Sequence, residues 1–183
     1  MRRRQHSSGF TLIELMVAVA IIAVLAAVGY PVVVHQIYKA RASEANTVLQ
    51  DIREKEVRYL DDFKQYTEDL PLMPDNVTGC TNETMFWDLG SADGAKWLQL
   101  GFNPGGATYY KYRVYTPYTA AGVHDGTNPV PIPPNHPWQS QLPPVGTPWF
   151  VACARGDIDC NNRGVTFYIT SSSVVVTQDN DEY

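Results

Sequence analysis

The chain has 183 residues and a mass of 20.4 kDa, enough for one ordinary domain or a small domain with an appendage. Apolar residues make up 44% and charged residues 18%, which excludes wholesale disorder. Lys+Arg 14 against Asp+Glu 19 gives a net charge of -5, so the basic footprint of a nucleic-acid binder is missing. The mean hydropathy of -0.23 averages two unlike parts. Leu15 to Val28 carries no polar side chain, whereas the second half is rich in Gly, Pro, Asn, Asp and Tyr.

The chain opens with Arg2, Arg3 and Arg4, then Gln5-His6-Ser7-Ser8-Gly9, and then an apolar run from Phe10 to about Val34. A secretory signal would place its small cleavage residue after the apolar stretch. Here the small residue, Gly9, comes before it. At about 1.5 Å per residue the run is long enough to cross a hydrocarbon layer of ~30 Å. The three arginines put the N-terminus on the cytoplasmic side and the remainder outside. Glu14 stands inside this run, where a carboxylate costs roughly 2.5–3.5 kcal/mol and calls for a partner.

Gly9-Phe10-Thr11-Leu12-Ile13-Glu14-Leu15 resembles the type IV prepilin signature, and Pro31 falls at the kink position of that family's helix. The resemblance implies cutting after Gly9 by a prepilin peptidase and N-methylation of the new Phe10 amine. It implies that Glu14 of one subunit meets the Phe10 amine of a neighbour, two charges relieved together in an apolar setting. Loss of the leader removes the three arginines and makes the chain more negative than -5. The same stripe would then anchor the precursor in the inner membrane and form the core of an extracellular filament.

Downstream, Ile37, Ala45, Val48, Leu49, Ile52, Tyr59, Leu60 and Phe63 recur mostly at three- and four-residue steps, which predicts that the helix continues to about Phe63. Glu56 interrupts that stripe. Lys39, Arg41, Glu44, Asp51, Glu54, Lys55 and Arg58 fall on other faces. Pro31 should kink the helix without ending it. Residues 64–100 read as a punctuated connection, with a short helix or strand entry at Ala95 to Leu100. Tyr109 to Tyr118 and Trp149 to Ala154 read as strands, and Val165 to Ile169 with Val174 to Thr177 as a hairpin across Ser171-Ser172-Ser173. The tyrosines are assigned to strand packing and subunit contacts. Residues 129–148 hold 8 of the 13 prolines, with Trp138 among them, and predict an extended surface loop. That loop is read as a subunit-specific surface decoration or a contact for a partner.

The fold class expected is therefore α+β: a long N-terminal helix packed on a small antiparallel sheet. The expected organisation is a leader over 1–9, a transmembrane and assembly helix over 10–34, its amphipathic continuation over 35–63, and a globular head over 64–183.

Of the three cysteines, Cys153 and Cys160 flank six residues and Cys80 is distant, and the residues leave the pairing open. The resemblance implies Cys153–Cys160, because pilins commonly bracket a C-terminal loop with a disulfide. Asp157, Asp159 and Asn161 form D-x-D-x-N, the first half of a calcium-loop pattern. Asn162 stands where that pattern has glycine and Tyr168 where it has glutamate, so an EF-hand is excluded. A looser calcium site, like that of secretion pseudopilins, and a plain solvated turn both fit. His6, His35, His124 and His136 show no ligand spacing, and no phosphate-binding or nucleophile-elbow motif occurs.

The expectation is a structural subunit rather than an enzyme. It would be a type IV pilin acting in adhesion, twitching motility or DNA uptake, with other pilins, the prepilin peptidase and an inner-membrane assembly platform as partners. The rivals are a type II secretion pseudopilin and a membrane-anchored periplasmic binding module.

Overall fold

The computed structural model describes residues 10–74, 80, 83–116, 148–158, 160 and 164–180. The chain divides into two compact units, residues 1–40 and 41–183. Helix α1 (Leu12–Phe63) runs as a single helix through residue 31, as expected for a helix that continues past Pro31. In the first unit its apolar side chains face solvent: Leu12, Ile13, Met16, Ile22, Leu25 and Val28 are all exposed. A helix apolar all round, with no protein over it, is matched to a lipid or a helical neighbour rather than to water. The most apolar 18-residue window of α1 has a mean hydropathy of 2.7 and is 0% buried.

In the second unit α1 becomes amphipathic. Ala45, Leu49 and Ile52 are completely buried, one above the other at three- and four-residue spacing. The helix ends where Lys64 takes a left-handed backbone (φ 61), and the Lys64 ammonium donates to the Asp61 carbonyl.

The sheet has five antiparallel strands in sequence order: β1 (Leu70–Met73), β2 (Lys111–Tyr115), β3 (Val151–Gly156), β4 (Val165–Thr170) and β5 (Thr177–Asn180). Three of them fall on predicted strands. Alternation in β2 sends Tyr112 and Val114 inward, and the β2–β3–β4 register carries Ala154, Phe167, Ala152 and Ile169 to the same face. That face and the buried stripe of α1 share one core. On the other face Trp149, Val151 and Tyr168 form a second cluster, with Cys153 and Tyr115 at its margin.

Two strands differ from expectation. The segment Leu70–Met73 is an edge strand with a register shift, Leu70 facing Val114 and Met73 facing Tyr112. The extra residue accommodates Pro71, which has no N–H to give a ladder, and the Pro71 carbonyl accepts instead from the Trp97 indole at 3.0 Å. The last strand begins at Thr177, three residues later than the valine run suggests. Ser173 is the cause: its N–H donates to Thr170 Oγ1 at 3.2 Å and its hydroxyl oxygen accepts from Val175 N–H at 3.2 Å. These local bonds keep Val174 and Val175 in the turn.

Helix α2 (Ala92–Gln99) is capped by Ser91, whose hydroxyl oxygen accepts from Gly94 N–H at 3.0 Å. It places Trp97, fully buried, edge-on to Trp87 with ring centroids 5.1 Å apart. Gly94 permits this packing. A Cβ there would fall on the Asp88 carbonyl oxygen and within 2.5 Å of Leu89 Cα, backbone atoms that cannot rotate away. Gly94→Ala is expected to lower stability by about 1–3 kcal/mol, the usual cost of overpacking. Chemical denaturation of the two proteins measures it; an unchanged midpoint would mean that α2 is free to lift from the 88–91 turn.

Candidate functional site

The chemistry-bearing positions cluster at the start of α1. Thr11 is the residue before the first helical position and Glu14 is the third helical residue. Thr11 N–H donates to Glu14 Oε2 at 2.9 Å, and the Thr11 hydroxyl donates to the same oxygen at 2.8 Å. In return, Glu14 N–H donates to Thr11 Oγ1 at 3.3 Å. This is a reciprocal capping box, which satisfies backbone donors that a helix start otherwise leaves open. The T-x-x-E spacing is present in the sequence, but in apolar surroundings the charge of Glu14 stands out and its reach back to Thr11 does not.

The cap engages Oε2 only. No described residue donates to Oε1, and the side chain is exposed. Phe10, also exposed, precedes the cap by one residue. One carboxylate oxygen therefore holds the helix start while the other remains open to a donor from outside the chain. Gly9 and the rest of residues 1–9 lie outside the described residues. Pro31 lies within α1.

The head is fastened to α1 by a second carboxylate. Glu44 is half-buried and accepts from Tyr109 N–H at 2.9 Å and from the Tyr112 hydroxyl at 3.4 Å. Burial holds its pKa above the ordinary carboxylate range, against the lowering effect of those bonds. The Arg41 guanidinium lies 4.5 Å from the centre of the Tyr109 ring. Tyrosines 109 and 112 are thus part of the junction between α1 and the sheet.

The disulfide is Cys80–Cys160, which corrects the expected Cys153–Cys160 pair. Cys153 lies in mid-β3, opposite Arg113 and Tyr168, and packs with the Trp149–Val151–Tyr168 cluster. Cys160 lies beyond the end of β3, in a left-handed backbone (φ 58). Its loop would have to fold back along β3 to reach Cys153, whereas the Cα of Cys80 is 4.8 Å away, inside the normal range for a bridge. Nothing in cysteine spacing announces a bond across a separation of 80 residues.

For the calcium expectation, Asp157 is partly buried, while Asp159 and Asn161 lie outside the described residues. Among the described residues no group of three or more His, Cys, Asp or Glu side chains could hold a metal. Most of the proline-rich loop, up to residue 147, is likewise outside them.

Residues 4–30 match the family model of the prokaryotic N-terminal methylation motif. This is the leader signature of type IV pilin-family precursors, and the start of the chain is that of a pilin- or pseudopilin-type precursor. Together with the long helix and the five-stranded antiparallel sheet it agrees with an α+β pilin fold. No curated protein and no solved structure matches the chain.

Proposed function

We propose that this protein is a structural subunit of a type IV pilus, cut after Gly9, methylated on Phe10 and polymerised by side-by-side packing of α1. The observation that carries this reading is the pairing of the methylation motif over residues 4–30 with a helix whose apolar window is 0% buried in the isolated chain. A helix that exposed needs lipid before assembly and copies of itself afterwards. The partners on this reading are other pilins, the prepilin peptidase and an inner-membrane platform. Energy would come from a separate ATPase, since the chain has no phosphate-binding loop motif. Adhesion, twitching motility or DNA uptake would then be properties of the filament surface formed by the head.

Intact mass and N-terminal sequencing of protein from sheared surface filaments and from membranes test this. A chain beginning at N-methylated Phe10 in the filament fraction is expected. A processed chain confined to membranes redirects the reading to a secretion pseudopilin. A chain still carrying Met1 in every fraction ends it and favours an anchored periplasmic module.

A further inference from the structure

Glu56 is the only charged residue fully buried among the described residues. In the sequence it breaks the apolar stripe, yet in the fold its carboxyl points into the core. It accepts from Thr67 N–H at 3.2 Å and from the Thr67 hydroxyl, and Thr67 is itself buried. Thr67 belongs to the 64–69 connection that leads from α1 to β1. The connection has two further attachments. Tyr66 packs edge-on against Phe150 at 5.0 Å, and Asp69 accepts from Thr116 N–H at 2.7 Å.

The ionisable groups around Glu56 do not neutralise it. On α1, Arg53 and Tyr59 lie one turn away, and Lys55 is engaged with Asp51 at 3.6 Å. In the connection, the Lys64 ammonium bonds the Asp61 carbonyl, Glu68 is exposed, and Asp69 faces Arg113 at 4.0 Å. From the sheet, the Tyr112 hydroxyl turns to Glu44. None of these forms an ion pair with Glu56. A leucine here would extend the apolar face, and a glutamine could make both bonds without a charge. A carboxyl differs from both in being able to ionise.

We propose that Glu56 and Thr67 form a proton-dependent latch, which holds the 64–69 connection against α1 when the carboxyl is neutral and loosens it when the carboxyl ionises. In the neutral form one carboxyl oxygen accepts Thr67 N–H and the carboxyl O–H donates to Thr67 Oγ1, so both carboxyl oxygens keep a partner without a charge. In the ionised form the Thr67 hydroxyl turns to donate, but a full charge sits in the core without an ion pair to any described residue, and opening to water relieves it.

Burial pushes the Glu56 pKa from 4.5 up to about 7. A raised folded-state pKa means that the latch stabilises fully below the ordinary carboxylate range and weakens as pH rises through about 7. Both members of the latch lie within the second unit, residues 41–183. The latch's exposure to environmental pH rests on the topology proposed above, which puts the head outside the cytoplasm.

Hydrogen exchange of the full chain in detergent micelles, followed over residues 64–69 from about pH 5 to about pH 8.5 and corrected for the intrinsic rate, tests the latch. Wild-type opening is expected to increase roughly 100-fold, below the ~300-fold ceiling that a shift of this size allows. Glu56→Gln should stay protected and flat with pH. A pH-independent wild type overturns the proposal. So does a Glu56→Gln protein that follows the wild-type curve while Asp69→Asn abolishes it, which would assign the titration to Asp69. A carboxyl-carbon NMR titration of wild type tests the same point without any variant: a Glu56 midpoint near the ordinary value of 4.5 overturns the latch. Filament formation enters none of these readouts, so failure here and failure of the pilus reading are separable.

Discussion

Reducing the Cys80–Cys160 bond is expected to lower the stability of the head by about 4.5 kcal/mol, because a cross-link across a loop of this length removes much denatured-state freedom. The separation of 80 residues sets that magnitude. A Cys153–Cys160 bond would close a loop of only a few residues, for which the same relation gives roughly 2.4 kcal/mol. The bond also acts within the folded head, since Cys80 follows β1 at one edge of the sheet and Cys160 lies between β3 and β4. Denaturation of the oxidised and reduced full chain measures the difference, and peptide mapping without reduction identifies the partners. Cys153→Ser should leave the cross-linked peptide intact, while Cys80→Ser and Cys160→Ser should each abolish it. A disulfide that survives Cys80→Ser would restore the short-loop alternative and remove the basis for the larger figure.

That bond marks the limit of what local sequence can show. The helix is legible almost to the residue, because a long apolar run leads into a stripe with three- and four-residue steps from Ile37 to Phe63. Strands β2, β3 and β4 are legible from aromatic and β-branched runs. What stays hidden depends on distant chain. Glu56 reads as a break in the stripe until Thr67 folds back on it, and Cys80 has no partner until the sheet brings the β3–β4 loop to it. Leu70–Met73 contains Pro71 and is followed by Pro74, so it looks like a linker, yet it makes an edge strand in which α2 supplies the indole that the Pro71 carbonyl accepts from. The N-terminal site is legible as a motif. Its second role, the cap, follows from a three-residue spacing that the apolar context outweighs.

Glu14→Leu is expected to reduce filament incorporation to background while leaving cleavage at Gly9 and membrane insertion in place. Two effects are lost together in that variant, and Thr11 separates them. The capping box is worth about 1 kcal/mol to the helix start. Thr11→Ala removes the hydroxyl and with it two of the three bonds between Thr11 and Glu14, but keeps the carboxylate. Because the cap engages Oε2, the open Oε1 can meet a neighbour's Phe10 amine without breaking the cap. The two roles are therefore compatible, and Thr11→Ala should retain most assembly. Glu14→Gln should lie between the other two variants, since it keeps an acceptor oxygen and loses the charge that a buried amine needs. Quantifying sheared filaments against processed membrane protein for the three variants gives the ranking. Equal loss in Thr11→Ala and Glu14→Leu would assign the role of Glu14 to helix capping, and wild-type assembly by Glu14→Leu would remove the carboxylate from the assembly contact.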